Sequence, residues 1–193
     1  MKVVLTVLCR DEEDIIDAFC RFHLDKGIDH IVATDNGSVD NTRNILKKYA
    51  QKGLLTLIDE PEHNHDQAIW VSRMAKLATT KLKADWIMHS DADEFWYPRT
   101  RNLTAALVEI NSSVNALKVK RTNFLPPNHQ SDPAQPFWQS MQIREHISLN
   151  SLGNTLPPKI CHRAIDDAFI EDGNHQLSSI STPISYSDTK SIE

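Results

Sequence analysis

The chain has 193 residues, 40% hydrophobic and 24% charged, with 21 basic against 26 acidic side chains and a formal charge of -5. That length predicts one domain able to bury roughly 70% of its unfolded surface, so no disulfide or metal staple is needed for stability. The acidic balance argues against a general nucleic-acid or anionic-membrane binder, and five glycines leave little room for a glycine-rich phosphate loop.

From the N-terminus, short apolar runs alternate with helical patterns. Residues 3–8, 28–34, 54–58 and 86–89 are short, largely apolar and bounded by polar residues, as strands buried on both faces of a parallel sheet are. A helix is expected from Asp11, with Asp14 completing a loose capping box and Ile15, Ile16, Phe19 and Leu24 near one face. A second follows Ser38 or Asp40, carries Ile45, Leu46 and Tyr49, and ends before Gly53. A third covers about residues 66–82, with Ile69, Trp70, Arg73, Met74 and Leu77 at helical spacing. The β-α-β-α-β-α-β series predicts an α/β sheet, mixed but mostly parallel, flanked by helices.

The second half is less regular. Residues 103–110 read as a short helix, and 116–121, 159–164 and 168–170 as strands. Residues 123–136 hold four of the nine prolines and predict a loop or flap over a site. The Ser-, Thr- and Asp-rich residues 178–193 predict a flexible tail. No run approaches the ~18 apolar residues of a membrane span. The short apolar start is soon followed by Asp11-Glu12-Glu13-Asp14, unlike a signal peptide, and Cys9, Cys20 and Cys161 form no paired spacing. A reducing, cytoplasmic setting is the expectation.

Ligands of open parallel sheets bind at the carboxyl ends of the strands. An acidic group follows each of the first four strands: Arg10-Asp11-Glu12-Glu13, Asp35-Asn36-Gly37-Ser38, Asp59-Glu60 and Asp91-Ala92-Asp93-Glu94. Such crowding needs positive charge, and a hard divalent cation, Mg²⁺ or Mn²⁺, is the expected one because it takes oxygen ligands and bridges to phosphates. Asp91 and Asp93, separated by one small residue, can turn toward one metal; by itself the triplet is more often a solvated turn. Asp35-Asn36-Gly37-Ser38 reads equally as a turn and as a nucleotide-binding position. Lys159 and Arg163 read as phosphate contacts or as a solvated strand face. Trp96 and Tyr97 either stack on a sugar or wedge the loop. His63-Asn64-His65-Asp66 resembles a hydrolase metal motif, but with its aspartate one position early and its last histidine absent.

In order, residues 6–13, 34–42, 66–70, 91–96 and Gly173-Asn174-His175 resemble the GT-A glycosyltransferases of the family 2 type, in particular a short bacterial-type subgroup. The resemblance covers residues 3–100 well and 155–177 loosely. It implies a GT-A fold with a nucleotide-sugar-binding half at 1–97 and an irregular acceptor half at 98–177. It also implies transfer of a sugar from a nucleotide-sugar, typically a UDP-sugar, to a hydroxyl on a glycan, lipid-linked or other acceptor, with inversion. Glu12 and Asp35 would then hold the base and ribose, Gln67 and Arg73 would face the donor, and Asp91 and Asp93 would be the D-x-D pair. His175 would be a third metal ligand, and Asp172, or else Glu94, the general base. Two departures stand out: Asn36 replaces the usual second aspartate of D-D-G-S, and the downstream E-D pair has no counterpart except Glu171-Asp172. The rival readings are a metal-dependent hydrolase or nucleotidyltransferase, and a non-catalytic nucleotide-sugar-binding domain.

Overall fold

A computed structural model describes residues 1–61, 66–125 and 137–193. The chain runs β1 (Val3–Cys9), α1 (Ile16–Asp25), β2 (His30–Asp35), α2 (Thr42–Gln51), β3 (Leu55–Asp59), α3 (Gln67–Thr80) and β4 (Trp86–Asp91). It continues through α4 (Leu103–Val108), β5 (Ala116–Val119), β6 (Phe124–Leu125), α5 (Phe137–Ser140), β7 (Ile143–Arg144) and β8 (Lys159–Arg163). Then come β9 (Phe169–Ile170), a 3-10 turn at Asp172–Asn174, β10 (Leu177–Ser178) and β11 (Tyr186–Asp188). The main sheet has the order β11-β5-β8-β4-β1-β2-β3. It is parallel except for β8, which runs antiparallel to β4 and β5.

The apolar runs become strands because both faces of the sheet are covered. Val3, Leu5 and Val7 of β1 join Ile16, Phe19, Leu46, Leu103 and Leu107 in one core. Val4 turns the other way with Val32 and Ile87, against Val71, Met74, Ala75 and Ala78 of α3.

Two expectations need correction. The first helix starts at Ile16, not Asp11, and has no side-chain cap. Asp11 is left-handed (φ 55), and the acidic stretch instead clasps the loop after β2. Asp11 Oδ1 accepts from Val39 N (2.7 Å) and Glu13 Oε2 from Asn41 N (2.8 Å), while Glu13 N donates to Asp40 Oδ2 (3.0 Å). The second concerns residues 178–193. Tyr186–Asp188 adds the edge strand β11 beside β5, Ile192 is buried, and Glu193 exchanges backbone hydrogen bonds with Tyr97. Serine-rich composition hides this, because backbone pairing and a few apolar side chains, Ile184, Tyr186 and Ile192, hold the segment. The loop expected at 123–136 forms β6 at its start; residues 126–136, and His63-Asn64-His65, lie outside the described residues.

Candidate functional site

The strand register brings the acidic groups to one edge. At the carboxyl end of β1, Leu8 pairs with Asp91 on one side and Cys9 with Asp35 on the other, and Asp35 pairs in turn with Asp59. The crowd is tolerated because side chains neutralise much of it. Arg43 Nη2 meets Asp59 (2.5 Å) and Arg73 Nη2 meets Glu60 (2.9 Å). Lys159 opens β8 almost fully buried, its Nζ 2.6 Å from Asp91 Oδ2 and 2.9 Å from Glu94 Oε2. Arg121 Nη1 donates to Glu94 Oε1 (3.1 Å) and its Nε to Pro157 O (2.8 Å). Lys159 is therefore not a solvated strand residue: it is the counter-ion of Asp91 and Glu94. Arg73, on α3, pairs with Glu60 just after the end of β3.

Three carboxylates on this edge, those of Asp93, Glu12 and Asp35, make no ion pair among the described residues. Asp93 is exposed and makes no ion pair among the described residues. Burial, then the charges of Asp93, Asp14, Asp40 and Asp91, raises the Glu12 carboxyl above its ordinary range. Asp35 is buried: its Oδ1 accepts from Ser38 N (3.2 Å) and from Ser38 Oγ, while its Oδ2 meets no donor among the described residues. The turn and the open acceptor coexist in one residue.

The turn at 172–175 docks on the same edge. Asp172 Oδ1 accepts from Ala68 N (3.0 Å) and Gln67 Oε1 from Gly173 N (3.1 Å), so both residues tie this turn to the start of α3. Asn174 Nδ2 donates to Asp91 Oδ1 (3.3 Å), and its Oδ1 is buried without a partner among the described residues. Gly173 has φ 75, and a Cβ there would stand 2.7 Å from the His175 ring, so only glycine admits the histidine. His175 Nδ1 donates to Pro158 O (2.9 Å). Burial lowers its pKa, the nearby Lys159 and Arg121 lower it further, and Asp91 opposes them. This leaves a neutral ring with Nε2 as its acceptor, the form in which histidine ligates metals.

Mg²⁺ and Mn²⁺ are commonly held by one or two carboxylates plus substrate phosphates rather than by an all-protein cage. Among the described residues no three His, Cys, Asp or Glu converge. Asp91 spends both oxygens on Lys159 and Asn174. The Asp93 carboxylate, which makes no ion pair among the described residues, is an oxygen donor of the kind such an ion takes.

Beyond Glu94 opens a cavity of about 790 Å³, bordered by Asp93–Tyr97, Phe22, Arg121, Phe124, Trp138 and Lys159 among others. Glu94 has Oε2 bonded by Asp91 N (3.2 Å) as well as by Lys159. Trp96 is buried and wedges the loop, whereas Tyr97 is 52% exposed. The wedge is fixed by His23 of α1, which sequence reasoning did not single out. Its Nδ1 donates to Phe19 O (2.9 Å) and its Nε2 accepts from Trp96 N (3.1 Å). Full burial lowers its pKa to about 3 and keeps it neutral. Arg121 and His23 give no local signal, because each acts on a residue 27 or more positions away.

Comparison with known proteins follows from this geometry. The family model described as Glycosyltransferase family 92 matches residues 10–175. An "Uncharacterized glycosyltransferase MG060 homolog" of Mycoplasma pneumoniae is 36% identical over 80 residues, 41% of this chain and 26% of that protein. The crystal structure of S. aureus TarS matches with a TM-score of 0.61 at 17% identity, over 100% of this chain and 36% of the other. S. aureus TarS 1-349 in complex with UDP-GlcNAc matches with a TM-score of 0.55 at 17% identity, over 98% of this chain and 59% of the other. At such identities the likeness shows the fold, which is the expected GT-A architecture. The chain spans less than two thirds of the length of each of these relatives.

Proposed function

The chain belongs to glycosyltransferase family 92, and from that premise we propose that it moves a sugar from a nucleotide-sugar, of the UDP-sugar class, to an acceptor hydroxyl with inversion. The observation that carries the reading is Asp35 Oδ2, a buried carboxylate oxygen without a donor among the described residues, at the edge where Glu12 and Asp93 also gather. A buried acceptor left unpaired is costly, and a nucleobase N–H satisfies it. Glu12 takes the ribose hydroxyls. Residues 1–97 form the donor half and 98–177 supply most of the acceptor side.

In the transfer, the acceptor oxygen bonds to the anomeric carbon as the bond from that carbon to the diphosphate oxygen breaks. The hydroxyl proton passes to a carboxylate, and the nucleoside diphosphate leaves. We give the base role to Glu94, which borders the cavity, over Asp172, which is bonded to the first turn of α3. A carboxylate offers about four lone-pair sites; Arg121, Lys159 and Asp91 N take three of those on Glu94, leaving one for the proton. A divalent cation held by Asp93 and His175 would neutralise charge on the departing diphosphate. Asp91 holds Lys159 and the 172–175 turn in place.

Titration calorimetry with UDP-, GDP- and TDP-sugars, with and without Mn²⁺, tests the reading. Metal-enhanced binding of a UDP-sugar is expected; absence of nucleotide-sugar binding under any condition overturns it. Glu94→Gln should keep donor binding and abolish transfer, and transfer at the parent rate removes Glu94 from the base role.

A further inference from the structure

We infer that His23 is a positioning residue for the transfer: it fixes the backbone that carries Glu94 and so sets the aim of that carboxylate. The inference rests on the glycosyl-transfer reading and adds a residue that acts through the loop rather than on the substrate.

Residues 92–97 follow β4 and belong to no helix or strand, so no regular ladder holds their peptide groups. Groups from elsewhere take over. Ser90 Oγ donates to Glu94 O (3.0 Å), Trp96 N donates to His23 Nε2 (3.1 Å), and Tyr97 exchanges backbone hydrogen bonds with Glu193. Of these, the bond to His23 ties the loop to a helix.

His23 lies on the buried face of α1 with Ile16, Phe19 and Cys20, where an unpaired polar group is costly. Both ring nitrogens are used. Phe19 O can only accept, so Nδ1 carries the proton; Trp96 N can only donate, so Nε2 carries the lone pair. A charged ring would set a second N–H against that of Trp96, so the arrangement requires the neutral form. Packing stops the ring from turning. Phe95 stacks on it (centroids 5.7 Å apart, 16° between planes), and Phe19 and Phe22 close on it at 4.3 and 5.3 Å. Phe95 stands between Glu94 and Trp96 in the chain, so the ring contact and the hydrogen bond hold one short span. Trp96 is buried, and solvent is no ready substitute for the lost acceptor.

Glu94 feels this because it is two residues from Trp96, while Lys159 and Arg121 hold its carboxylate from the other side. Removing the His23 acceptor frees one end of the span and leaves the other fixed, which turns the carboxylate off its line. Asp35 takes its bonds from Ser38 after β2 instead, so nucleotide binding is independent of His23.

Two readouts on protein verified as folded by circular dichroism test the assignment. The first is UDP release from UDP-glucose, UDP-galactose and UDP-N-acetylglucosamine, with Mn²⁺ and with water as the acceptor. The second is deuterium exchange of the backbone amides of residues 92–97. His23→Asn keeps a donor for Phe19 O and loses the acceptor, whereas His23→Gln places an oxygen where Nε2 stands. His23→Asn should lower kcat by roughly 10- to 100-fold, with metal-free UDP affinity within about twofold of the parent. Exchange at 92–97 should quicken at least ~10-fold. His23→Gln should bring both readouts to within about threefold of the parent. A residue that serves stability alone would lower the melting temperature and leave kcat of the folded protein unchanged. Parent-like kcat or unchanged exchange in folded His23→Asn overturns the assignment. So does a folded His23→Gln with turnover reduced tenfold or more, which decides the matter by itself should His23→Asn not fold. A parent protein that releases UDP from none of the donors counts against the transfer reading, and the exchange data still decide whether His23 holds the loop.

Discussion

Replacing Lys159 by Met keeps most of the length of the side chain and removes the charge that Asp91 and Glu94 share. The Lys159 side chain is 4% exposed, that of Glu94 19% and that of Asp91 40%. Breaking a buried ion pair by removing one partner costs about 3–5 kcal/mol, because the remaining charge is left uncompensated. The Asp91 end is screened by water and contributes little, and Arg121 still holds one oxygen of Glu94, so about 2–3 kcal/mol is the expected loss. For a chain of this size each kcal/mol lowers the melting temperature by about 2–4 °C, which predicts a fall of about 4–12 °C. Circular-dichroism melts of Lys159→Met, Glu94→Gln and the double variant measure it. If Lys159 acts as the counter-ion, the lysine replacement should cost at least ~1 kcal/mol less in the Glu94→Gln background. A melting temperature within about 1 °C of the parent, or equal costs in both backgrounds, would refute the counter-ion role.

The buried histidines predict acid sensitivity. His89 Nε2 meets His162 Nε2 (3.0 Å), Thr6 Oγ1 meets His89 Nδ1 (2.7 Å), and His162 Nδ1 donates to Arg163 O. Burial lowers His162 to about 4 and His23 to about 3, and holds His89 well below its ordinary range. All three are neutral in the fold but protonate in the unfolded chain near pH 6.5, so stability is full above that pH and declines as pH falls toward 4 and below. The slope approaches about 1.4 kcal/mol per pH unit for each histidine; urea unfolding that is equally stable at pH 7.5 and 5 would contradict it. Gly173→Ala forces a side chain into φ 75 and against the His175 ring. It should cost about 1–3 kcal/mol and weaken Mn²⁺ binding in the presence of UDP by calorimetry, and parent-like metal affinity would detach His175 from the metal. Asp35→Asn should leave stability within about 1 kcal/mol, because the residue already carries an unmet oxygen. UDP affinity should fall about tenfold, as expected for losing a charged hydrogen bond; undiminished affinity would free Asp35 from the nucleotide.

Much of the fold is legible in residues 3–91, where strand, helix and turn signals are local. Val3–Cys9 and His30–Asp35 read as buried strands because both faces are covered, and the acidic strand ends point to one edge by the ordinary rule for parallel sheets. Local pattern fails at Asp11, where a capping signal is spent on the neighbouring loop instead. It fails again after Ser178, where a polar stretch pairs its backbone with the sheet. The acidic edge pointed to a divalent cation as the balancing charge; Arg43, Arg73 and Lys159 supply part of that balance, which the sequence alone does not reveal.

Strand periodicity, the D-x-D spacing and the Gly173-Asn174-His175 turn were determined by the sequence alone, since each depends on residues a few positions apart. The pairing of Asp91 and Glu94 with Lys159 and the bond from His23 to Trp96 were decided by the tertiary structure. The antiparallel insertion of β8 beside β4 brings Lys159 to a carboxylate 68 residues away. Coulomb attraction in a buried site depends on distance in space and on the exclusion of water, and neither is written in the order of the residues.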